Sequence, residues 1–330
     1  SLTPISFMLG VSALSVSKIL NNMEIGHSTM HGSYDWTHDP KMYSQDFEWD
    51  TACSSDSWRQ VHNVDHHTHT NVVGKDRDFG YGMLRLSNDT HWHIARTPQM
   101  IYFTLLTLFF QWGVALHELE SENIWKGSYD WVAKKGIRNR MYRTAAKQVF
   151  KDYMFFPALA GPFFWKVMLG NGMANLGCNW WASAIIFCGH FPEQAATFTE
   201  EECKNETRGE WYYRQILASV NIDGGKLMHI MSGHLSYHIE HHLFPDIPVN
   251  RYEEMAPKVQ AICEKYGLPY NSGPFLKQYA SSIKRVLRYS FPGGEKATDQ
   301  VWEGAEGLEW TLSSPPPYHS FSKRQKGLKC

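Results

Sequence analysis

Nine of the chain's 17 histidines fall into four tight groups, and the groups border apolar stretches. Clustered imidazoles repel one another once protonated, so a fold that gathers them needs something to hold them neutral, and a metal does this best. His27 and His31 stand at i, i+4 in "GHSTMHG". His62, His66 and His67 stand at i, i+4, i+5 in "HNVDHH". His190 is alone in "FCGHFPE", and His238, His241 and His242 stand at i, i+3, i+4 in "HIEHH". On a helix, residues three and four apart are surface neighbours, so each multiple group projects its imidazoles from one face.

Zinc usually takes four ligands, so nine imidazoles exceed one structural zinc. They suit two transition-metal ions, and nitrogen-rich ligation points to iron before magnesium or calcium. Asp65, Asp76, Asp78, Glu240 and Asp246 lie close in sequence and are candidates to orient ring nitrogens from outside the ligand set. His69 and His234 are read as outer or surface histidines.

Four stretches are apolar enough for a bilayer: Pro4–Leu20, Met100–Leu116, Tyr153–Leu169 and Met173–Phe191. Their lengths sit at the lower end of the roughly 17–25 residues a spanning helix needs. Buried helices of a large soluble core are the alternative, which a mean hydropathy of −0.41 keeps open. Lys166, inside the third stretch, must snorkel or line a cavity. Gly170-Asn171-Gly172 predicts a tight break, so the last two stretches read as a helical hairpin. For all the histidines to share one site, an even number of crossings must separate His67 from His190. That hairpin supplies two crossings, so Met100–Leu116 is expected to lie in the interface or to re-enter.

Between Lys126 and Lys151 run eight basic residues against one acid, Asp130, a segment that favours the cytoplasmic side. The net charge of −1 gives no global field for nucleic acid. Six cysteines form no CxxC pair, as expected of reduced thiols in a reducing compartment. Residues 291–330 read as a flexible polar tail. The first residue is Ser1 and no signal peptide is visible, so a truncated start is expected.

HxxxH, HxxxHH and HxxHH, in that order between hydrophobic segments, resemble the membrane fatty-acyl desaturases. "NMEIGHSTMHGSYDW", "HNVDHHTHTNVVGKDRDFGYG", "TRGEWYYRQILAS" and "IEHHLFPDIPVNRY" are most similar to bacterial acyl-CoA desaturases of the actinobacterial type, associated with the Δ9 position. The likeness runs from about Lys18 to about Arg288. It implies an all-α fold: a membrane stem of helices within residues 1–290 and a cytoplasmic helical cap that carries the histidine boxes. It also implies a di-iron centre held by His27, His31, His62, His66, His67, His190, His238, His241 and His242. Many relatives have Gln at the place of His238, and Asn is common at the place of His234. His234, Asp65 and Glu240 are the expected outer partners of the ligands.

The substrate so implied is a long-chain acyl-CoA or a lipid acyl chain, with O2 as co-substrate. No "HPGG" haem-binding signature is present, so electrons are expected from a separate ferredoxin or flavin reductase that draws on NADPH. An unactivated methylene has no acidity for a side chain to exploit, so the hard step belongs to a redox cofactor. A membrane di-iron hydroxylase, a non-catalytic metal carrier and a soluble helical binding module are the competing readings.

Overall fold

The computed structural model describes residues 3–120, 122–125 and 127–293. The expected tail therefore lies almost wholly outside the described residues. The chain is mainly helical, as expected, with one addition: a short parallel ribbon pairs β1 (Asn221–Asp223) with β2 (Ser272–Pro274).

Helix α1 (Pro4–Ile19) is capped by Thr3, with Pro4 at its first turn, where a missing N–H is harmless. It continues as a π-helical stretch through Leu20–His27 and ends at Met30. The resulting 27-residue rod is the one described helix long and apolar enough to cross a bilayer by itself. Most of its apolar side chains, Ile5, Met8, Leu9 and Val16 among them, face outward.

The Met100–Leu116 region is two helices, α2 (Gln99–Leu108) and α3 (Phe110–Glu118), which meet at 104°. Such a bend frees backbone groups that must find partners. Asn179, from a neighbouring helix, supplies them: its Nδ2 donates to Leu108 O at 3.1 Å, and its Oδ1 accepts from Gln111 N at 3.1 Å.

The helical hairpin exists, but its turn lies ten residues before the expected one. Helix α4 (Lys135–Phe150) runs on through Lys151–Phe155 to Leu159. The chain turns at Ala160–Phe163 and returns as α5 (Phe164–His190), unbroken through Gly170-Asn171-Gly172. Gly161 takes φ +53°, which favours glycine, and Pro162 follows it. Gly170 instead serves packing: a Cβ there would touch Phe7 and Val11 of α1. Asn171 stays helical and its Nδ2 donates to Asp152 O at 2.6 Å.

The basic run lies on α4, with Arg140, Arg143 and Lys147 exposed on that helix. Lys166 lays its Nζ over the rings of Phe163 and Trp165 at 5.1 and 5.4 Å. The five described cysteines form no disulfide with one another. Helices α6 (Arg208–Ala218), α7 (His238–Leu243), α8 (Tyr252–Tyr266) and α9 (Phe275–Arg288) close over the end where α1 and α5 finish. The main core joins α1, α2, α3, α5 and α9 through Ile19, Met23, Phe103, Phe110, Phe187 and Val286.

Candidate metal centre

All nine histidines of the four groups are buried, and they converge. Ring centroids lie 4.6 Å apart for His31 and His67, 4.4 Å for His67 and His242, and 4.7 Å for His66 and His190. Local helix form makes this possible. His27 ends one π-helical stretch and His66 ends another, Arg59–His66. The wider π turn, closed at i→i+5, brings residues four and five apart onto one face. This suits the i, i+4, i+5 spacing of His62, His66 and His67 better than an α-helix does. His190 ends α5, and the third box is α7 itself.

Four sets of imidazole nitrogens lie mutually within 4.8 Å: His27, His31, His62 and His241; His62, His66 and His67; His66, His190 and His242; His67, His241 and His242. His238 belongs to none of them, but its Nε2 is 2.8 Å from His190 Nε2. His242 Nε2 stands 3.2 Å from that same atom. Two nitrogens each about 2.1 Å from one ion, at right angles, stand about 3 Å apart. Gly189 makes room for His238, since a Cβ there would sit 2.6 Å from the ring.

The ring orientations also fit metal. His62 Nδ1 is 2.7 Å from Asp78 Oδ2, and His66 Nδ1 is 2.9 Å from Asp76 Oδ1. The carboxylates thus take the Nδ1–H and leave each Nε2 as a lone pair; both Nε2 atoms, with that of His27, are buried and lack a hydrogen-bond partner among the described residues. Asp76 is itself fixed by the backbone N–H groups of Asn71 and Asp78, at 2.7 and 2.8 Å. His242 Nδ1 faces Gln215 Oε1 at 3.2 Å, and Gln215 also accepts from Thr70 at 2.8 Å. Asn71 ties three elements together by donating to the carbonyls of His190, Ala196 and Ala218.

Burial first, then the neighbouring imidazoles, holds His62, His67, His241 and His242 well below the ordinary histidine range. His238 is pushed down to about 3 by the same causes. Burial acts on His66 too, but the Asp76 carboxylate outweighs it and raises His66. A ring kept neutral is a ring available to a metal.

The expected outer partners divide. Asp76 and Asp78 hold ligand rings, whereas Asp65 accepts from Gln60 at 3.0 Å. Glu240 accepts from Asn221 and Tyr270, both at 2.9 Å, and so pins α7 to β1. His234, in the left-handed region at φ +59°, turns its Nδ1 toward Glu24 Oε2 at 3.1 Å. Gly233 before it is needed as glycine, because a Cβ would meet Met23 O at 2.2 Å. His69 bonds back to Asp65 O. Trp58, which stacks on His62 at 4.4 Å, stands four residues before it, a helical spacing that could have marked it, whereas Gln215 carries no such signal.

Beside His27 and His62 lies a cavity of about 80 Å³, walled by Met23, Trp58, Val61, Phe110, Val114 and Ile186. A larger one of about 690 Å³ adjoins it. Trp36 is exposed, and Trp181 donates to Met231 O.

The fatty acid desaturase family model matches residues 3–274. The NADPH-dependent stearoyl-CoA 9-desaturase of Mycobacterium tuberculosis (strain CDC 1551 / Oshkosh) is 43% identical over 292 residues, 87% of this chain and 68% of the relative. The sn-1 linoleoyl-lipid 6-desaturase of Synechocystis sp. is 24% identical over 296 residues, covering 85% and 79% of the two chains. Human fatty acid desaturase 3 is 24% identical over 273 residues, covering 80% and 56%. A match over most of the chain, at this identity and around a buried histidine cluster able to hold metal, means that the chain belongs to the fatty acid desaturase family and is an oxidoreductase.

Proposed function

We propose that this desaturase is a multi-pass membrane enzyme that places a cis double bond in a long-chain acyl thioester, with acyl-CoA as the carrier and Δ9 as the position. The substrate reading rests on the name of the mycobacterial relative. The chemistry rests on one observation: nine buried imidazoles converge, and several point unpartnered Nε2 atoms inward. His27, His31, His62, His66, His67, His190, His238, His241 and His242 would hold two iron ions. Bound iron supplies the oxidising power, drawn from O2 and two electrons, that removes two vicinal hydrogens from an unactivated chain.

The protein's own contribution is position and dryness. Asp76 and Asp78 set the tautomers of His66 and His62. The apolar walls of the smaller cavity hold a methylene segment against His27 and His62 and keep water from it. The Δ9 choice then follows from how much of the acyl chain lies beyond that cavity. In this reading α1, the arm ending at Leu159 and α5 cross the bilayer, and the bent α2–α3 pair enters and leaves one face, so the boxes lie on the cytoplasmic side. The exposed cations of α4 meet lipid headgroups there, or the phosphates of coenzyme A. Electrons come from a separate ferredoxin or flavin reductase that draws on NADPH, consistent with the relative's name.

The test is product mass after expression of a full-length version in a host that lacks the activity. A desaturase yields an acyl chain two hydrogens lighter, with the double bond at Δ9. A chain heavier by one oxygen would instead identify a hydroxylase, and an unaltered lipid profile beside a metal-loaded protein would point to a carrier.

A further inference from the structure

His117, on α3, belongs to no histidine box, yet it is only 4% exposed and lines the smaller cavity together with His27 and His62. Among the described residues neither of its ring nitrogens has a hydrogen-bond partner. Its Nε2 is 3.7 Å from Asp78 Oδ1, too far for a direct bond, while Asp78 Oδ2 is the atom that faces His62 Nδ1 at 2.7 Å. The other charged groups near it are Asp76, Glu120 and Arg77, whose Nη2 donates to the His117 carbonyl at 2.7 Å. Tyr81 packs edge-on against the ring at 5.6 Å. Each buried polar group left unpaired costs about 1–3 kcal/mol. A phenylalanine would fill this place without that cost, so packing does not explain the residue. Its nitrogens also stand outside the converging imidazole sets.

The cavities supply the missing link. Asn22, Thr51, Gln111, Cys178 and Asn179 line both, so the two share a wall. The larger one carries the Lys18–Asp152 ion pair, Asn171 and Asn175 among apolar side chains, and those polar groups can hold water. His117 therefore stands between the site and a neighbouring cavity that carries polar side chains.

Desaturation needs such a group. Resting on the reading above, the balance is R–CH2–CH2–R′ + O2 + 2 e⁻ + 2 H⁺ → R–CH=CH–R′ + 2 H2O. The electrons come from the external donor, and the two protons must cross a buried wall. We propose that His117 is the proton relay of this reaction. The neutral ring gives its Nε2 proton, on the Asp78 side, to oxygen as it is reduced to water, while Nδ1 takes up a proton from the side of the larger cavity.

The experiment compares the full-length wild type with His117→Ala and His117→Phe, in membranes supplied with host cytosol and NADPH. The readouts are iron per chain, turnover, and both again with added imidazole. The proposal expects iron to be retained in both variants and turnover to fall at least about 100-fold, the usual contribution of a positioned proton donor. Imidazole should restore part of the turnover in His117→Ala, whose site it can occupy, and raise that variant's melting temperature. It should do neither in His117→Phe. Loss of iron in both variants would make His117 a structural residue, and turnover near wild type or no imidazole rescue would overturn the relay. A wild type that retains iron but makes no olefin would instead overturn the reading of the function.

Discussion

Gly189→Ala pits two calculable effects against each other. Gly189 lies in the last turn of α5, where alanine should stabilise the helix by about 0.5–1 kcal/mol. The added Cβ, however, would sit 2.6 Å from Cε1, Nδ1 and Nε2 of His238, and contact there requires the ring to retreat by roughly an ångström. His238 is 1% exposed and is held through Leu235 O at 3.2 Å and His190 Nε2 at 2.8 Å, so it has no free direction to move. Overpacking of this kind costs about 1–3 kcal/mol, so the net expectation is a loss of about 1–2 kcal/mol. Because the displaced ring borders His190, iron per chain should fall as well. Thermal melting in detergent and elemental analysis of the same preparation read both. A variant at least as stable as wild type, with a full complement of metal, would refute the packing of His238 on Gly189.

Other perturbations separate the remaining parts of the account. Asp76→Asn keeps the size of the side chain but replaces one of the oxygens that hold His66 and the Asn71 and Asp78 N–H groups; iron affinity should fall about 10- to 100-fold by competition with a chelator. Asn179→Leu leaves Leu108 O and Gln111 N at the 104° bend without partners and should destabilise the protein by about 2 kcal/mol or more, read as a lower melting temperature. The metal-free protein should lose stability as pH falls below 6.5. There the unfolded chain takes up protons at His62, His67, His238, His241 and His242, which the fold keeps neutral. Each such histidine contributes about 1.4 kcal/mol per pH unit, down to about 3 for His238, and His66, raised by Asp76, works in the opposite sense. Urea unfolding at pH 7.5 and 5.5 measures the difference.

The site was legible in the sequence wherever local periodicity carries it. Spacings of three to five residues can align rings on one helix, and the four groups do meet in space. What the spacing could not show was helix type: the first two boxes use π turns, which depend on packing and not on residue identity. The hairpin turn was misplaced because Gly170-Asn171-Gly172 looks like a break. Tertiary contacts, with Phe7 and Val11 against Gly170 and Asp152 O accepting from Asn171, keep it helical. Asp76 and Asp78 were within reach of a reading by proximity, and so was Asp65, yet only the fold separates those that face a ring. Gln215 and His117 lie far from the boxes in sequence, so nothing local marks them, whereas Trp58 stands four residues before His62, a helical spacing that marks it.

Iron per chain in the purified full-length protein, measured alongside zinc, tests the central claim most directly. The account predicts about two iron ions per chain, as a two-metal oxygen-using site requires, and a sharp loss in His31→Ala, His67→Ala and His242→Ala alike. Zinc alone, or iron unaffected by all three substitutions, would contradict it.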